Sequence, residues 1–173
     1  MMILQQGTTA LHMIDSAKLP QSVRFGVARR LVNNARPEDI MEWCDGLGLQ
    51  RQSPAMAQKH AVERAVDTSL ANAAHGCLFV YDGSVPVAVL GVSGNGWLWS
   101  FWARPRARVI KNMLKVWPLA MDIIFRHYGF KSLRNYIHKD NTFFQRLLSE
   151  KSGATITPLD GDYSFFEVTQ HVL

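Results

Sequence analysis

Three arginines, Arg104, Arg106 and Arg108, crowd the short junction between an aromatic run, WLWSFW at residues 97–102, and a long helical stretch beginning near Val109. A strand that feeds directly into a helix leaves free backbone N–H groups and the positive end of the helix macrodipole at the joint. Guanidinium groups add charge and a planar fork of donors that matches phosphate oxygens. This is chemistry for gripping a polyanion. A phosphate-bearing cofactor, nucleic-acid phosphate and an acidic protein face all meet the description.

Other residues with chemical potential follow on the same stretch. His127 and Tyr128 stand near the end of the long helix, and His138 closes the strand after it. His138 reads as a satisfied or exposed histidine rather than a base. Asn141, after Asp140, has two readings that stay open: a helix N-cap, or a polar contact at the mouth of a site. Trp97, Trp99, Trp102 and Trp117 could line a pocket or a docking surface. The alternation that puts Trp97 and Trp99 on one face reads as sheet packing. Cys44 and Cys77 lack metal-ligand spacing and read as buried thiols of a reducing compartment. No His/Asp/Glu cluster has metal spacing and no Ser–His–Asp arrangement can be assembled, so no metal is expected.

The elements that position these groups follow from periodicity and punctuation. Residues 22–32, SVRFGVARRLV, are rich in β-branched and aromatic types and are expected to form a strand. Pro37 with Glu38 and Asp39 predicts a helix start, closing near Gly46 and Gly48. A second helix is expected from Ser53-Pro54 to about Ala74. CLFVYDGSVPVAVLGV predicts two strands around the Asp82-Gly83 turn, and Ser93–Gly96 a second turn into WLWSFW. Pro118 should kink or divide the long helix. SLRNYIHKDN predicts a strand, TFFQRLLSEKSGA a helix ending in glycine, and the tail a hairpin around Asp160–Asp162. A strand–helix–strand unit in the middle requires a parallel pair with a right-handed crossover. The expected fold is therefore α/β: a mixed, mostly antiparallel sheet of six to seven strands with a central parallel pair and about four flanking helices. Residues 1–20 read as an N-terminal arm or extra edge element, and 21–173 as a single domain.

At 173 residues, 47% hydrophobic and 19% charged, the chain can build a real core and is not disordered. No apolar stretch reaches the roughly 20 residues of a membrane span, and the opening MMILQQGTTA does not read as a signal peptide. The net charge of +5 is uneven. Residues 1–103 balance at eight basic and eight acidic, 104–139 carry nine basic against Asp122 alone, and 140–173 carry two against five. The excess marks a polyanionic partner or a solvated basic face.

That element order resembles the GNAT superfamily of N-acetyltransferases. VRFGVARRLVNNARPEDIMEW is similar to its opening strand and helix, VYDGSVPVAVLGV to its Asp-Gly hairpin, and SLRNYIHKDNTFFQRLLSEKSGA to the strand–Asn–helix–Gly segment ending its acetyl-CoA site. The likeness covers about residues 22–170. More narrowly, the hairpin, the Trp-rich fourth strand, the basic third helix and Asn141–Leu148 resemble acetyltransferase-like internal virion proteins of short-tailed phages.

The resemblance implies acetyl-CoA in a splay between the fourth and fifth strands. It places the pyrophosphate at a Gln/Arg-x-x-Gly-x-Gly/Ala loop that opens the third helix. Here Arg104, Arg106, Ala107 and Arg108 occupy that position, without a glycine and with Pro105 removing a donor; Asn141 would lie near the pantetheine. The family's Tyr, seven residues beyond the Asn, falls on Leu148, and WLWSFW offers Ser100 but no Glu as a base, so no catalytic residue is assigned. The expectation is a virion-associated or assembly component with weak or lost acetyl transfer. The alternative is an active acetyl-CoA-dependent N-acetyltransferase acting on a protein or small-molecule amine. Expected partners are other virion proteins or an acidic protein surface, with nucleic acid as a third option. Its location would be host cytoplasm and then virion, or otherwise cytoplasm.

Overall fold

The computed structural model describes residues 3–5, 11–16, 19–46, 55–102 and 107–170. Five strands make one antiparallel sheet in the order β1 (Ile3–Gln5), β2 (Leu11–Asp15), β3 (Ala73–Asp82), β4 (Val85–Ser93) and β5 (Leu98–Trp102). Three more make a second sheet, in which β6 (Ser132–His138) and β7 (Thr155–Pro158) flank β8 (Tyr163–Thr169). Helices α1 (Gln21–Asn34), α2 (Pro37–Gly46) and α3 (Ala55–Ala71) lie between β2 and β3 in sequence. Helix α4 (Ala107–Asp122) and a π-turn (Ile123–His127) lead from β5 to β6, and α5 (Thr142–Ser152) follows β6. The two sheets meet at an isolated parallel bridge, Trp97 to Arg134, just before β5 begins. The expected α/β architecture is present, with the single mixed sheet divided into two antiparallel ones and the central parallel pair reduced to that one bridge. Eight strands are described rather than six or seven, because residues 1–20 supply β1 and β2, with β2 paired to β3.

Residues 22–32 are not a strand. They lie within α1, whose buried residues are Ala28, Leu31 and Val32. That spacing of three and four is helical, and in a strand it would have turned Arg29 or Arg30 inward. Period outweighed the β-branched content here, since packing against α3 and β4 stabilises the apolar face.

Punctuation fared better. Gly83, Gly96, Gly153 and Gly161 all carry positive φ, at the two strand turns, the end of α5 and the β7–β8 turn. Pro37 opens α2, and Asp39 accepts a hydrogen bond from the Arg36 N–H at 2.9 Å, capping its first turn. Pro118 does not divide α4, which continues through it on an exposed face where water can serve the carbonyl left without a donor. The irregularity comes later, at the π-turn, where the Tyr128 N–H reaches the Ile123 carbonyl at 2.9 Å.

Two cores sandwich the larger sheet. One face, with Phe79, Val89 and Phe101, packs on α1–α3 through Leu31, Trp43 and Val66. The other, with Leu78, Leu90 and Leu98, packs on α4, the π-turn and α5 through Trp117, Ile124, Leu147 and Leu148. Leu133, Ile137, Phe166 and Val168 of the smaller sheet join this second core, so one apolar layer ties both sheets together.

Candidate functional site

β5 and β6 start together and then part. At the apex the Arg134 N–H donates to the Gly96 carbonyl at 3.0 Å, beside the Trp97–Arg134 bridge. Gly96 is required there. Its φ is +83°, and a Cβ would sit 2.9 Å from the Ser132 carbonyl oxygen. One residue on, pairing passes from main chain to side chain: Asn135 Nδ2 donates to the Leu98 carbonyl at 2.7 Å, while its Oδ1 accepts from the Tyr136 N–H at 2.7 Å. Beyond this point no hydrogen bond joins the two strands among the described residues. The result is a V-shaped slot.

The edge of β5 that faces the slot can be read off by alternation. Main-chain groups of successive strand residues point to opposite sides. Gly96 and Leu98 turn theirs toward β6, and Trp97 turns its carbonyl to Ser93 of β4 at 3.0 Å. Ser100 and Trp102 therefore also face the slot. The Trp102 carbonyl is already taken, accepting from Trp43 Nε1 of α2 at 2.9 Å. Ser100 alone presents main-chain groups without a partner on β6 or α2 among the described residues.

Aromatic rings flank this edge on both faces. Toward α4 and α5, Trp102 lies 6.4 Å from Trp117, Trp117 5.6 Å from Phe144, and Phe144 6.2 Å from Phe166. Trp117 Nε1 donates to Ser152 Oγ at 2.6 Å, tying α4 to the end of α5. On the opposite face Trp43 meets Phe101 edge-on at 5.8 Å, and α2 also approaches β6. The indole Nε1 atoms of Trp99 and Trp102 are buried without a hydrogen-bond partner among the described residues.

The residues singled out by sequence fall as follows. Ala107 and Arg108 open α4, directly after β5 and the connecting residues. Arg104 and Arg106 lie outside the described residues. Asn141 caps α5, its Oδ1 accepting from the Phe144 N–H at 3.2 Å, so the capping reading is realised. Leu148 is fully buried in the core. His138 is half-buried at the end of β6, its Nδ1 accepting from the Asp140 N–H at 3.1 Å and its ring edge-on to Tyr163. Trp97 and Trp99 do share a face: Trp97 stacks with Tyr136, and Trp99 covers Gly91. Trp43 and Asn135 were missed. Asn135 had a signal, being a polar residue at the inward register of β6 between Leu133 and Ile137. Trp43 had none.

His127 and Tyr128 belong elsewhere. Tyr128 Oη donates to the buried Asp15 at 2.6 Å, and His127 Nε2 lies 3.6 Å from the same carboxylate. Register links Asp15 to Leu78, Leu78 to Leu90 and Leu90 to Ser100. Three strand spacings, roughly 14 Å, separate that cluster from the slot. Burial, then the bond to Asp15, pushes the Tyr128 phenol far above its usual range. Cys77, beside Ser16 at 3.0 Å, is pushed up to about 11 by burial, with the Ser16 hydrogen bond a smaller opposing influence. Both stay protonated at neutral pH. Among the described residues no group of three His, Cys, Asp or Glu could hold a metal, and no helix is long and apolar enough to cross a membrane.

No family model and no curated protein matches the chain. Solved structures do. The Agrobacterium tumefaciens acetyltransferase superposes with a TM-score of 0.57 at 16% identity, over 98% of this chain and 95% of its own. RimL, the ribosomal L7/L12 α-N-protein acetyltransferase in complex with coenzyme A, gives 0.55 at 11%, over 98% and 97%. Campylobacter jejuni N-acetyltransferase PseH gives 0.51 at 11%, over 94% and 99%. The architecture is the GNAT fold.

For the acetyl-CoA that the resemblance implies, the described residues offer one unpaired main-chain position on β5, at Ser100. An extended amide arm laid along β5 can pair with Ser100 as an added strand would, but the next carbonyl, Trp102, is capped by Trp43. Among the described residues, Leu148 is buried and apolar and β5 carries no titratable side chain.

Proposed function

We propose that this protein keeps the GNAT slot as a binding feature and has weak or lost acetyl transfer, serving as a virion-associated or assembly component. The carrying observation is the Trp43–Trp102 hydrogen bond: the chain itself occupies an acceptor that an extended cofactor arm would use. The absence of glycine between Arg104 and Arg108, and leucine at position 148, support the same reading. The virion role rests on the resemblance of the hairpin, the Trp-rich strand and Asn141–Leu148 to internal virion proteins of short-tailed phages. Other virion proteins or an acidic surface would meet the basic stretch 104–139. Mass spectrometry of purified particles tests that role, which fails if the chain is absent from them.

A second reading, an active acetyl-CoA-dependent N-acetyltransferase, is favoured by the open V and the free edge at Ser100. Arg104, Arg106, Ala107 and Arg108 would then hold the pyrophosphate, and Asn141 would lie near the pantetheine. When bound, acetyl-CoA supplies the activated acetyl group. The chain's own share would be to hold phosphate by charge and orient the arm. A thermal-shift titration tests the second reading, because a ligand that binds only the folded state raises the melting temperature by mass action. No shift at millimolar acetyl-CoA excludes the second.

A further inference from the structure

We propose that Trp43 is an autoinhibitory latch on the slot, and that an extended amide ligand must displace its indole N–H from the Trp102 carbonyl before it can lie along β5. The inference rests on the slot being a site for such a ligand. It concerns how that site is regulated.

Three observations converge. Trp43 Nε1 donates to the Trp102 carbonyl at 2.9 Å, the last slot-facing acceptor of β5. That indole is 6% exposed and held edge-on against Phe101, so the bond is shielded from water. The helix that carries it, α2, touches both β5 and β6, so the latch sits on an element shared by the two strands. The strand beneath has unmet capacity. Ser100 presents its main-chain groups one step from the latch, and the Trp102 indole N–H is buried without a partner among the described residues. A buried orphan donor is costly to leave unmade. An amide N–H of the ligand would take the Trp102 carbonyl in place of Trp43 while the Ser100 edge pairs alongside, which couples arm binding to movement of α2.

Trp43→Phe removes the donor and keeps a ring against Phe101. A neutral hydrogen bond of this kind is worth roughly two- to tenfold in an equilibrium constant. Calorimetric titration with pantetheine, which lacks the phosphates, and with acetyl-CoA should therefore show two- to tenfold tighter binding by Trp43→Phe than by wild type. Adding Ser100→Pro, which deletes a main-chain donor on an edge where proline is tolerated, should abolish that gain. Equal affinity of wild type and Trp43→Phe overturns the latch while leaving the slot a binding site. No binding by either protein overturns the slot reading and the latch with it. A readout on the wild type alone covers a variant that fails to fold. The Trp43 indole N–H signal in NMR must shift as pantetheine or acetyl-CoA saturates, and an unmoved signal refutes the proposal.

Discussion

Asn135 on β6 donates its side-chain amide to the Leu98 carbonyl on β5 at 2.7 Å, and this one contact sets where the two strands part. A main-chain bond at the same level would hold the strands at ladder spacing. A side-chain bond keeps both polar groups satisfied while the backbones diverge. Asn135→Ala leaves the Leu98 carbonyl without its partner in a part-buried setting, while water can take the exposed Tyr136 N–H. Urea denaturation should show a loss of about 1–3 kcal/mol. A change within experimental error would mean the amide does not hold the apex.

Gly91 and Trp99 form a steric pair. A Cβ on Gly91 would run into the Trp99 ring, far inside van der Waals contact, and the ring lies over the strand as rigid bulk. Gly91→Ala should destabilise strongly, and Trp99→Leu should relieve part of that cost. The double variant is then less damaged than the sum of the singles, a coupling that a double-mutant cycle of melting curves reads directly.

Trp117 and Ser152 join α4 to α5 behind the slot at 2.6 Å. Ser152→Ala should cost about 1–3 kcal/mol by orphaning the indole N–H. Trp117→Ala should cost more, about 3–5 kcal/mol, since a fully buried ring is removed from the row of Trp102, Phe144 and Phe166. If Ser152→Ala proves as damaging as Trp117→Ala, the packing argument is wrong.

Stability should fall at alkaline pH through Cys77. Its thiol is raised from 9.0 to about 11 in the folded chain, first by burial. Below about pH 9 both folded and unfolded thiols are protonated and the contribution is fully present. Between the two values the unfolded chain releases its proton while the folded chain keeps it, so stability declines as pH rises. The total is about 2–3 kcal/mol at roughly 1.4 kcal/mol per unit. Cys77→Ala should flatten the denaturation midpoint between pH 9 and pH 10 relative to wild type, with Tyr128 adding its own decline at higher pH.

The parallel crossover, the hairpins and the cap of α5 were legible because each rests on local chemistry: positive-φ glycines at Gly83, Gly96 and Gly153, Pro37 opening a helix, and Asn141 as a cap. Residues 22–32 misled because their β-branched content and their helical spacing disagreed, and the partner that decides, the face of α3 and β4, is distant in sequence. Arg108 was placed at the start of α4 for the same local reason that a strand must feed a helix there. The Trp43–Trp102 contact spans residues 59 apart, and an edge carbonyl has no side chain to announce it. Self-capping of the slot thus became visible only in three dimensions.

The most direct test of weak or lost transfer is a peptide library incubated with acetyl-CoA, with and without the protein, and read by mass spectrometry for acetylated amines. Acetylation no greater than in the protein-free mixture is the expected result. Any amine acetylated only when the protein is present would contradict it.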